Sequence, residues 1–238
     1  MAIKIFTLLR KAPDQESGQF DQFVRNEFVP KLRETGTGAQ AIAAVFNRIE
    51  EMNYREGAMC NVDGHDWSVI LETYFPDETS ATAAVQDCLI PLIDNAADKI
   101  AESANVIVRE LIMYDRPNDI DAVKVFGFFR IVFDMTRRQV FDHWYGPHAD
   151  LGREMNAFQA FLKYSQNHTL EEYHERNSRF DYDGASIVFF DSYPTAASIY
   201  RNPEIMGPME VDERNMGTEP GAVVSIAARE TLLFGTMP

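Results

Sequence analysis

The chain alternates short apolar runs with amphipathic segments, and the order of these segments predicts its fold. In the first half, Phe20, Phe23 and Val24 recur at helical spacing and predict a helix over residues 17–34. A second helix is predicted over 77–101, with Asp77 or Thr79 as its N-cap. Runs rich in apolar, β-branched and aromatic residues predict strands at 3–9, 41–49, 68–75 and 106–114. The predicted order is therefore strand, helix, strand, strand, helix, strand.

The second half repeats this order. Helices are predicted over 136–145 and from about Pro194, and strands are predicted at 123–133, 160–167, 185–190 and 223–234. A βαββαβ order is the ferredoxin-like arrangement, in which an antiparallel sheet carries both helices on one face. The other face is apolar and needs a cover. We expect an α+β protein whose two ferredoxin-like domains pair sheet to sheet within one chain, as a barrel-like sandwich. Ligands would lie between each sheet and its own helices or loops.

Direct similarity between the halves supports this expectation. Residues 2–10 match 122–130 at an offset of 120, with four of nine positions identical. Three further blocks match at nearly the same offset: 20–23 with 141–144, 68–71 with 186–189, and 109–113 with 229–233. We interpret the chain as a tandem duplication with one domain at 1–117 and the other at 118–238, joined through a polar, proline-containing stretch.

One segment of the second half resembles a known family. Residues 141–151, FDHWYGPHADL, resemble the helix signature of the EthD family, in which a Trp is followed four residues later by His, then Ala and an apolar residue. Residues 124–133 and 184–191 look like the first and third strands of that family, and the resemblance covers most of 122–234. It implies the dimeric α+β barrel superfamily. It does not specify a reaction, because relatives include cofactor-free monooxygenases, polyketide cyclases, dehydratases, decarboxylases and isomerases.

The resemblance makes His148 the first candidate for chemistry. It follows Pro147, where we expect the helix to end and the chain to turn toward the strands. An imidazole there can act as a general acid or base near neutral pH, and the alternative is a histidine that only caps helix carbonyls. The aligned position in the first half is Glu27, so that half is a structural partner or carries a different site. Tyr164, on the following strand, is either a hydrogen-bond donor to an oxyanion or a half-buried strand aromatic.

Further candidates concern substrate contacts. Trp144 and Tyr145 are neighbours that cannot share a helical face, so one packs inward while the other points to solvent or to a pocket. The long segment 167–183 is interpreted either as a lid over a site or as solvated surface. It carries three candidate contacts, His168, Tyr173 and His174.

Charged residues recur at matching positions of the two halves. Arg130 matches Arg10 at the end of a first strand, and it is either an anion contact or an architectural residue. The pairs Arg109-Glu110 and Arg229-Glu230 are likewise interpreted as architectural, holding neighbouring strands together.

Composition narrows the classes of partner. A formal net charge of -15 argues against a nucleic-acid backbone or an anionic membrane surface as partner. Two cysteines provide neither a disulfide framework nor a metal-ligand cluster, and the N-terminus lacks a signal-peptide pattern, so we expect a cytoplasmic protein. No glycine-rich phosphate loop, nucleophile elbow or CxxC motif occurs, and we expect neither cofactor nor metal. Assembly of two such chains into a homodimer stays open.

These features favour a cofactor-independent enzyme that acts on a hydrophobic, aromatic or polyketide-like small molecule. Lyase or cyclase chemistry suits the candidate residues best, because dehydration, decarboxylation and aldol-type steps need only an acid, a base and a dry pocket. A cofactor-free monooxygenase of aromatic substrates is the alternative enzyme. A binding protein for an apolar metabolite is the alternative without catalysis.

Overall fold

Eight antiparallel strands form one closed barrel in the computed structural model of the protein. The structure describes residues 3–50, 66–116, 121–131, 135–170, 182–218 and 223–237. The strands are β1 Ile3–Lys11, β2 Ala43–Ile49, β3 Val69–Phe75, β4 Ile100–Asp115, β5 Val123–Phe129, β6 Lys163–Thr169, β7 Gly184–Phe190 and β8 Val223–Gly235. Around the barrel they follow the order β1, β3, β2, β8, β5, β7, β6, β4. The four N-terminal strands are thus contiguous, as are the four C-terminal strands, and the β2–β8 and β4–β6 ladders join the two groups. The sequence predicts two sheets packed face to face, and the structure instead has one closed barrel. The division of the chain into two domains at residue 117 stays a prediction.

Helices pack on the outside of the barrel. They are α1 Ser17–Phe23, α2 Val29–Glu34, α3 Glu78–Ala84, α4 Ile90–Asp94, α5 Arg137–His143, α6 Ala149–Glu154, α7 Tyr193–Tyr200 and α8 Pro203–Asn215. Three π-helical turns, Val24–Phe28, Val85–Leu89 and Trp144–His148, connect α1 to α2, α3 to α4 and α5 to α6 without a break. A proline lies within or just after each of these turns, where the wider turn tolerates a missing backbone N–H.

The structure corrects two helix boundaries that were predicted from the sequence. The helix expected over 136–145 does not end before Pro147 but continues through the π-helical turn to Glu154. The helix expected over 77–101 ends at Asp94, and β4 already begins at Ile100. The predicted cap is confirmed, because Asp77 Oδ1 accepts a hydrogen bond from the backbone N–H of Ser80 at 2.7 Å.

Alternation along the strands divides the side chains between the barrel interior and the outer layer. Phe6 of β1 packs inside the barrel against Phe126 and Phe128 of β5. Ile5 and Leu9 of the same strand face the helices α1 to α4 on the outside. Both faces of β1, β3 and β5 are thus covered over most of their length, whereas the C-terminal parts of β4 and β8 are more exposed.

The barrel interior also holds a buried ion network. Lys4 Nζ lies 2.9 Å from Glu72 Oε2 and 2.8 Å from Glu110 Oε1. Lys124 Nζ donates to Glu72 as well, and lies 3.0 Å from Glu230 Oε2. Burial acts to raise the pKa of Glu72, but the two ammonium groups outweigh it and lower that pKa to about 2. The network therefore keeps its charges, and Glu72 links strands of the two halves.

The architectural pairs expected from the sequence have different partners. Arg109 and Glu110 are adjacent on β4 and point to opposite faces, so they do not act together. Arg109 pairs outside the barrel with Glu78, whereas Glu110 pairs inside it with Lys4.

Strand pairing also corrects the alignment of the two halves. Leu8 pairs with Ile70 on β3, and Phe128, the residue 120 positions after Leu8, pairs with Ala185 on β7. β3 and β7 therefore correspond at an offset of 115, whereas the similarity of 68–71 to 186–189 implied 118. Because side chains alternate between the two faces of a strand, a shift by three residues, an odd number, places every side chain on the opposite face. The match between short apolar sequences therefore gave the wrong register.

Candidate active site

A cavity of about 110 Å³ lies between the C-terminal strands and the helices α6 to α8. It lies between a sheet and its own helices, the place where the sequence predicts ligands. Most of its wall is apolar and is formed by Phe129, Trp144, Phe158, Phe161, Ile205, Met206, Met209 and Met216. An engineered apolar cavity of about 150 Å³ holds one benzene ring, so this cavity has the scale of a single ring. Its methionines are flexible and can adapt to a larger ligand.

His148 lies in the wall of this cavity and forms a hydrogen-bonded dyad with Asp212. His148 Nδ1 lies 2.8 Å from Asp212 Oδ2, and His148 is only 6% exposed. The second carboxylate oxygen of Asp212 lies 2.9 Å from His143 Nε2. Hydrogen bonds from His148, and then from His143, lower the pKa of Asp212 despite its partial burial. The ionised carboxylate can only accept, so His148 donates from Nδ1, and the neutral form of the ring carries its lone pair on Nε2. His148 lines the cavity, which makes Nε2 the nitrogen available to a ligand.

The local sequence explains how His148 reaches this position. Thr136 caps α5 in a reciprocal capping box with Gln139, which fixes where the helix begins. The π-helical turn Trp144–His148 then brings both of its end residues into the cavity wall. π-Turns within helices occur frequently at functional sites, and this one places an indole and an imidazole beside the same space.

Tyr164 of β6 contributes a phenol to the same wall. Its oxygen lies 3.1 Å from Gln166 Nε2, and the side chain is 5% exposed. Burial raises the pKa of Tyr164 to about 12. The phenol is therefore neutral at neutral pH and keeps a hydrogen that it can donate.

Three small residues on neighbouring strands form the floor of the cavity. Gly127 of β5 pairs with Ser186 of β7 and with Ser225 of β8, and all three line the cavity. The corresponding row in the N-terminal half is Thr7, paired with Leu71 and Asn105. Leu71 is buried in a packed core and Thr7 is buried beside it, and Asn105 Oδ1 accepts a hydrogen bond from Thr7 at 2.8 Å. The small floor of the C-terminal half thus leaves space that the N-terminal half fills.

Other residues predicted from the sequence lie elsewhere. Trp144 lines the cavity and packs edge-on to Phe129 at 4.8 Å, whereas its neighbour Tyr145 is 55% exposed and lies outside it. The inward position of Trp144 turns Tyr145 to the solvent, so a substrate contact by Tyr145 in this cavity is not supported and stays a prediction. His168 is a strand residue of β6 rather than a loop residue, and it stacks on Phe141 and Trp144 at 4.3 and 5.0 Å, behind the cavity wall.

Arg130 and Glu27 do not contribute to the cavity wall either. The Arg130 guanidinium lies over the ring of Tyr182 at 5.7 Å. Glu27 is half-exposed and pairs with Lys99 at 3.3 Å. The π-helical turns, which match at an offset of 120, place the buried Phe28 at the position of His148, so Glu27 is not its counterpart. Tyr173 and His174 lie outside the described residues.

Asp212 and Gln166 are among the polar residues of this region that sequence reasoning missed. Asp212 lies in α8, remote from every motif, and no spacing rule connects it to His148. Gln166 had a usable signal, because it alternates with Tyr164 and His168 and so shares their face of β6.

Comparison with known proteins supports the fold. No protein-family model matches the chain, and no curated protein matches it in sequence. Among solved structures, an anthrone oxidase-like protein superposes with a TM-score of 0.64 at 9% identity, over 100% of this chain and 97% of that one. A protein from Fusobacterium nucleatum described as a monooxygenase gives a TM-score of 0.55 at 6% identity over 97% and 93%. Chlorite dismutase from Candidatus Nitrospira defluvii, in complex with imidazole, gives 0.54 at 6% identity over 95% and 90%.

These neighbours are dimeric α+β barrel proteins, and the chain shares their fold, with helices packed around a closed antiparallel barrel. The resemblance to EthD proteins and the tandem duplication stay predictions. Among the described residues, no group of three or more His, Cys, Asp or Glu side chains is arranged to hold a metal ion. None of the described helices is long and apolar enough to span a bilayer.

Proposed function

We propose that the protein is a cofactor-independent monooxygenase that oxidises a small phenolic or enolisable aromatic molecule, with His148 as its base. One observation carries the proposal: a buried histidine oriented by a partly buried carboxylate lines a mostly apolar cavity of the scale of one ring. Such a dyad removes a proton from an acidic O–H or C–H, and an apolar wall keeps water from the resulting anion. The proposal includes EthD-like ancestry by tandem duplication, supported by the sequence blocks and by the same strand order in both halves.

The reaction balances without an external reductant. His148 Nε2 takes the proton of a phenol or enol, and the anion transfers an electron to O₂. The carbon radical and superoxide combine to form a C–O bond, giving a hydroperoxide after protonation by the imidazolium. Removal of the remaining proton from that carbon breaks the O–O bond, leaving a C=O group and water. The substrate thus supplies all the electrons, and its activated C–H₂ or ring C–H becomes C=O.

Tyr164 has a defined role in this reaction. Its neutral hydroxyl lies in the same wall and can donate a hydrogen bond to the developing oxyanion. Removing one such donor typically costs about 10²- to 10³-fold in turnover.

A lyase or cyclase would begin with the same proton removal. The names of the structural neighbours, an anthrone oxidase-like protein and a monooxygenase, favour oxygen chemistry over elimination as the next step. Oxygen uptake separates the two.

The test compares the wild type with His148→Ala on a panel of phenols that carry a hydrogen para to the hydroxyl group. An oxygen electrode and product mass are followed after dialysis against a chelator. We expect oxygen uptake, a product that gains one oxygen and loses two hydrogens, and a loss of about 10²- to 10⁴-fold in His148→Ala. Tyr145→Ala and Glu27→Gln are matched controls outside the cavity and should retain wild-type rates. Product formed without oxygen uptake would support a lyase or cyclase instead. Binding without turnover would support a binding protein without catalysis.

A further inference from the structure

The orientation of the Gln166 side-chain amide can be assigned from its surroundings. Its side chain is buried, and Nε2 lies 2.7 Å from the backbone carbonyl oxygen of Trp144. A carbonyl oxygen can only accept, so the group facing it must be the amide NH₂ and not the amide oxygen. One hydrogen of that NH₂ is directed at Trp144, which leaves the second for another acceptor.

The second amide hydrogen is directed at Tyr164. The phenolic oxygen lies 3.1 Å from Gln166 Nε2, so it accepts from the amide. The phenolic oxygen therefore acts as an acceptor toward Gln166. Its own hydrogen is left to donate, beside the cavity that Tyr164 lines.

His168 fixes the other end of the amide. Its Nε2 lies 3.1 Å from Gln166 Oε1, an acceptor, so the histidine carries its proton on Nε2. Burial, with a smaller contribution from Arg109, lowers the pKa of His168 to about 4. The ring is therefore neutral at neutral pH, and its stacking on Phe141 and Trp144 holds its plane.

From this geometry we infer that Gln166 and His168 are positioning residues, which direct the hydroxyl hydrogen of Tyr164 to an acceptor oxygen of the bound molecule. The hydrogen bonds run in one direction, from His168 to Gln166, from Gln166 to Tyr164, and from Tyr164 to the ligand. Each bond polarises the next, which strengthens the last donor. The ligand atom at Tyr164 must then be a carbonyl, phenolate or enolate oxygen. The inference rests on the proposed function only for the reaction that this oxygen undergoes.

The experiment measures binding, so it does not depend on turnover. Acetophenone and cumene have nearly the same shape, but only acetophenone has an acceptor oxygen. Their dissociation constants are measured by calorimetry, and the carbonyl stretch of bound acetophenone is recorded by infrared spectroscopy. In the wild type we expect acetophenone to bind roughly five- to tenfold more tightly, with its carbonyl stretch lowered by the hydrogen bond.

Variants separate positioning from structure. Tyr164→Phe should abolish the preference for acetophenone. Gln166→Glu keeps the shape but replaces the NH₂ with an acceptor, so Tyr164 should donate to the carboxylate, and the preference should be lost although the phenol remains. Adding Tyr164→Phe to Gln166→Glu should then cost nothing more. His168→Leu should weaken the preference, whereas His168→Gln keeps an N–H donor and should restore most of it.

The outcomes are distinct. No acetophenone preference in the wild type, or an undiminished preference in Gln166→Glu, would overturn the inference. If Gln166→Glu fails to fold, the pair His168→Leu and His168→Gln carries the test, and equal preferences in both would overturn it. The expected binding pattern without oxygen uptake would contradict only the proposed function.

Discussion

Lys4 and Lys124 occupy corresponding positions on β1 and β5, and both donate to the same carboxylate, Glu72, inside the barrel. Glu72 is fully buried and also accepts from Asn47 at 2.9 Å. This shared acceptor connects the first strand of each half. Removing its charge would leave two ammonium groups with fewer partners in a buried environment.

Glu72→Gln should therefore destabilise the barrel by about 3 to 5 kcal/mol, because breaking a buried ion pair leaves uncompensated charge. Urea denaturation gives the free energy of unfolding. Glu230→Gln is the matched control, since Glu230 also pairs with Lys124 but its side chain is 36% exposed. We expect it to cost clearly less. Equal losses in the two variants would mean that the burial of Glu72 is not what matters.

His168 should make stability depend on pH. Its pKa falls from 6.5 to about 4 on folding, mainly through burial, so the unfolded chain binds more protons between these values. Stability should then decrease as the pH falls from about 6.5 to about 4, by about 3 kcal/mol in total. His168→Gln cannot titrate and should flatten this part of the profile of unfolding free energy against pH. A profile that is unchanged by the substitution would show that His168 does not titrate in this way.

The carboxylate of Asp212 should affect the activity of His148 as a base more than it affects the stability of the fold. Asp212→Asn replaces an acceptor-only group with one that can present an NH₂ to His148, which favours the wrong tautomer. We expect kcat to fall by roughly 10²- to 10⁴-fold, as orienting carboxylates of this type produce in other enzymes, with a small change in melting temperature. His143→Gln is the control, because it contacts the other oxygen of Asp212 and leaves the bond to His148. A loss in His143→Gln as large as that in Asp212→Asn would assign the effect to the three-residue cluster instead of the dyad.

The cavity floor should determine ligand size. Ser186→Leu introduces the residue that the N-terminal half has at the paired position, Leu71, and should fill the space beside Gly127. Binding of phenol should fall at least tenfold, because the added side chain takes the volume of the ligand. The reciprocal Leu71→Ser lies outside the cavity and should lower stability by a few kcal/mol without affecting phenol binding. Calorimetric titration with phenol and thermal melts of both variants decide the point.

The sequence by itself determined the class of fold, because hydrophobic periodicity and the order of elements are local properties. It identified His148, Trp144 and Tyr164, which the structure brings to one cavity, since a helix motif and a following strand lie near each other along the chain. It failed where a proline was read as a helix end, because the π-helical turn at Pro147 satisfies the backbone in another way.

Only the tertiary structure decided the rest. Asp212 reaches His148 from a helix 64 positions further along the chain, and no local pattern encodes that contact. The register of β3 and β7 depends on which face each strand buries, and a short apolar match cannot distinguish two faces that are both covered. The cavity exists because Gly127, Ser186 and Ser225 meet across three strands, and side-chain volumes add up only once the strands are paired.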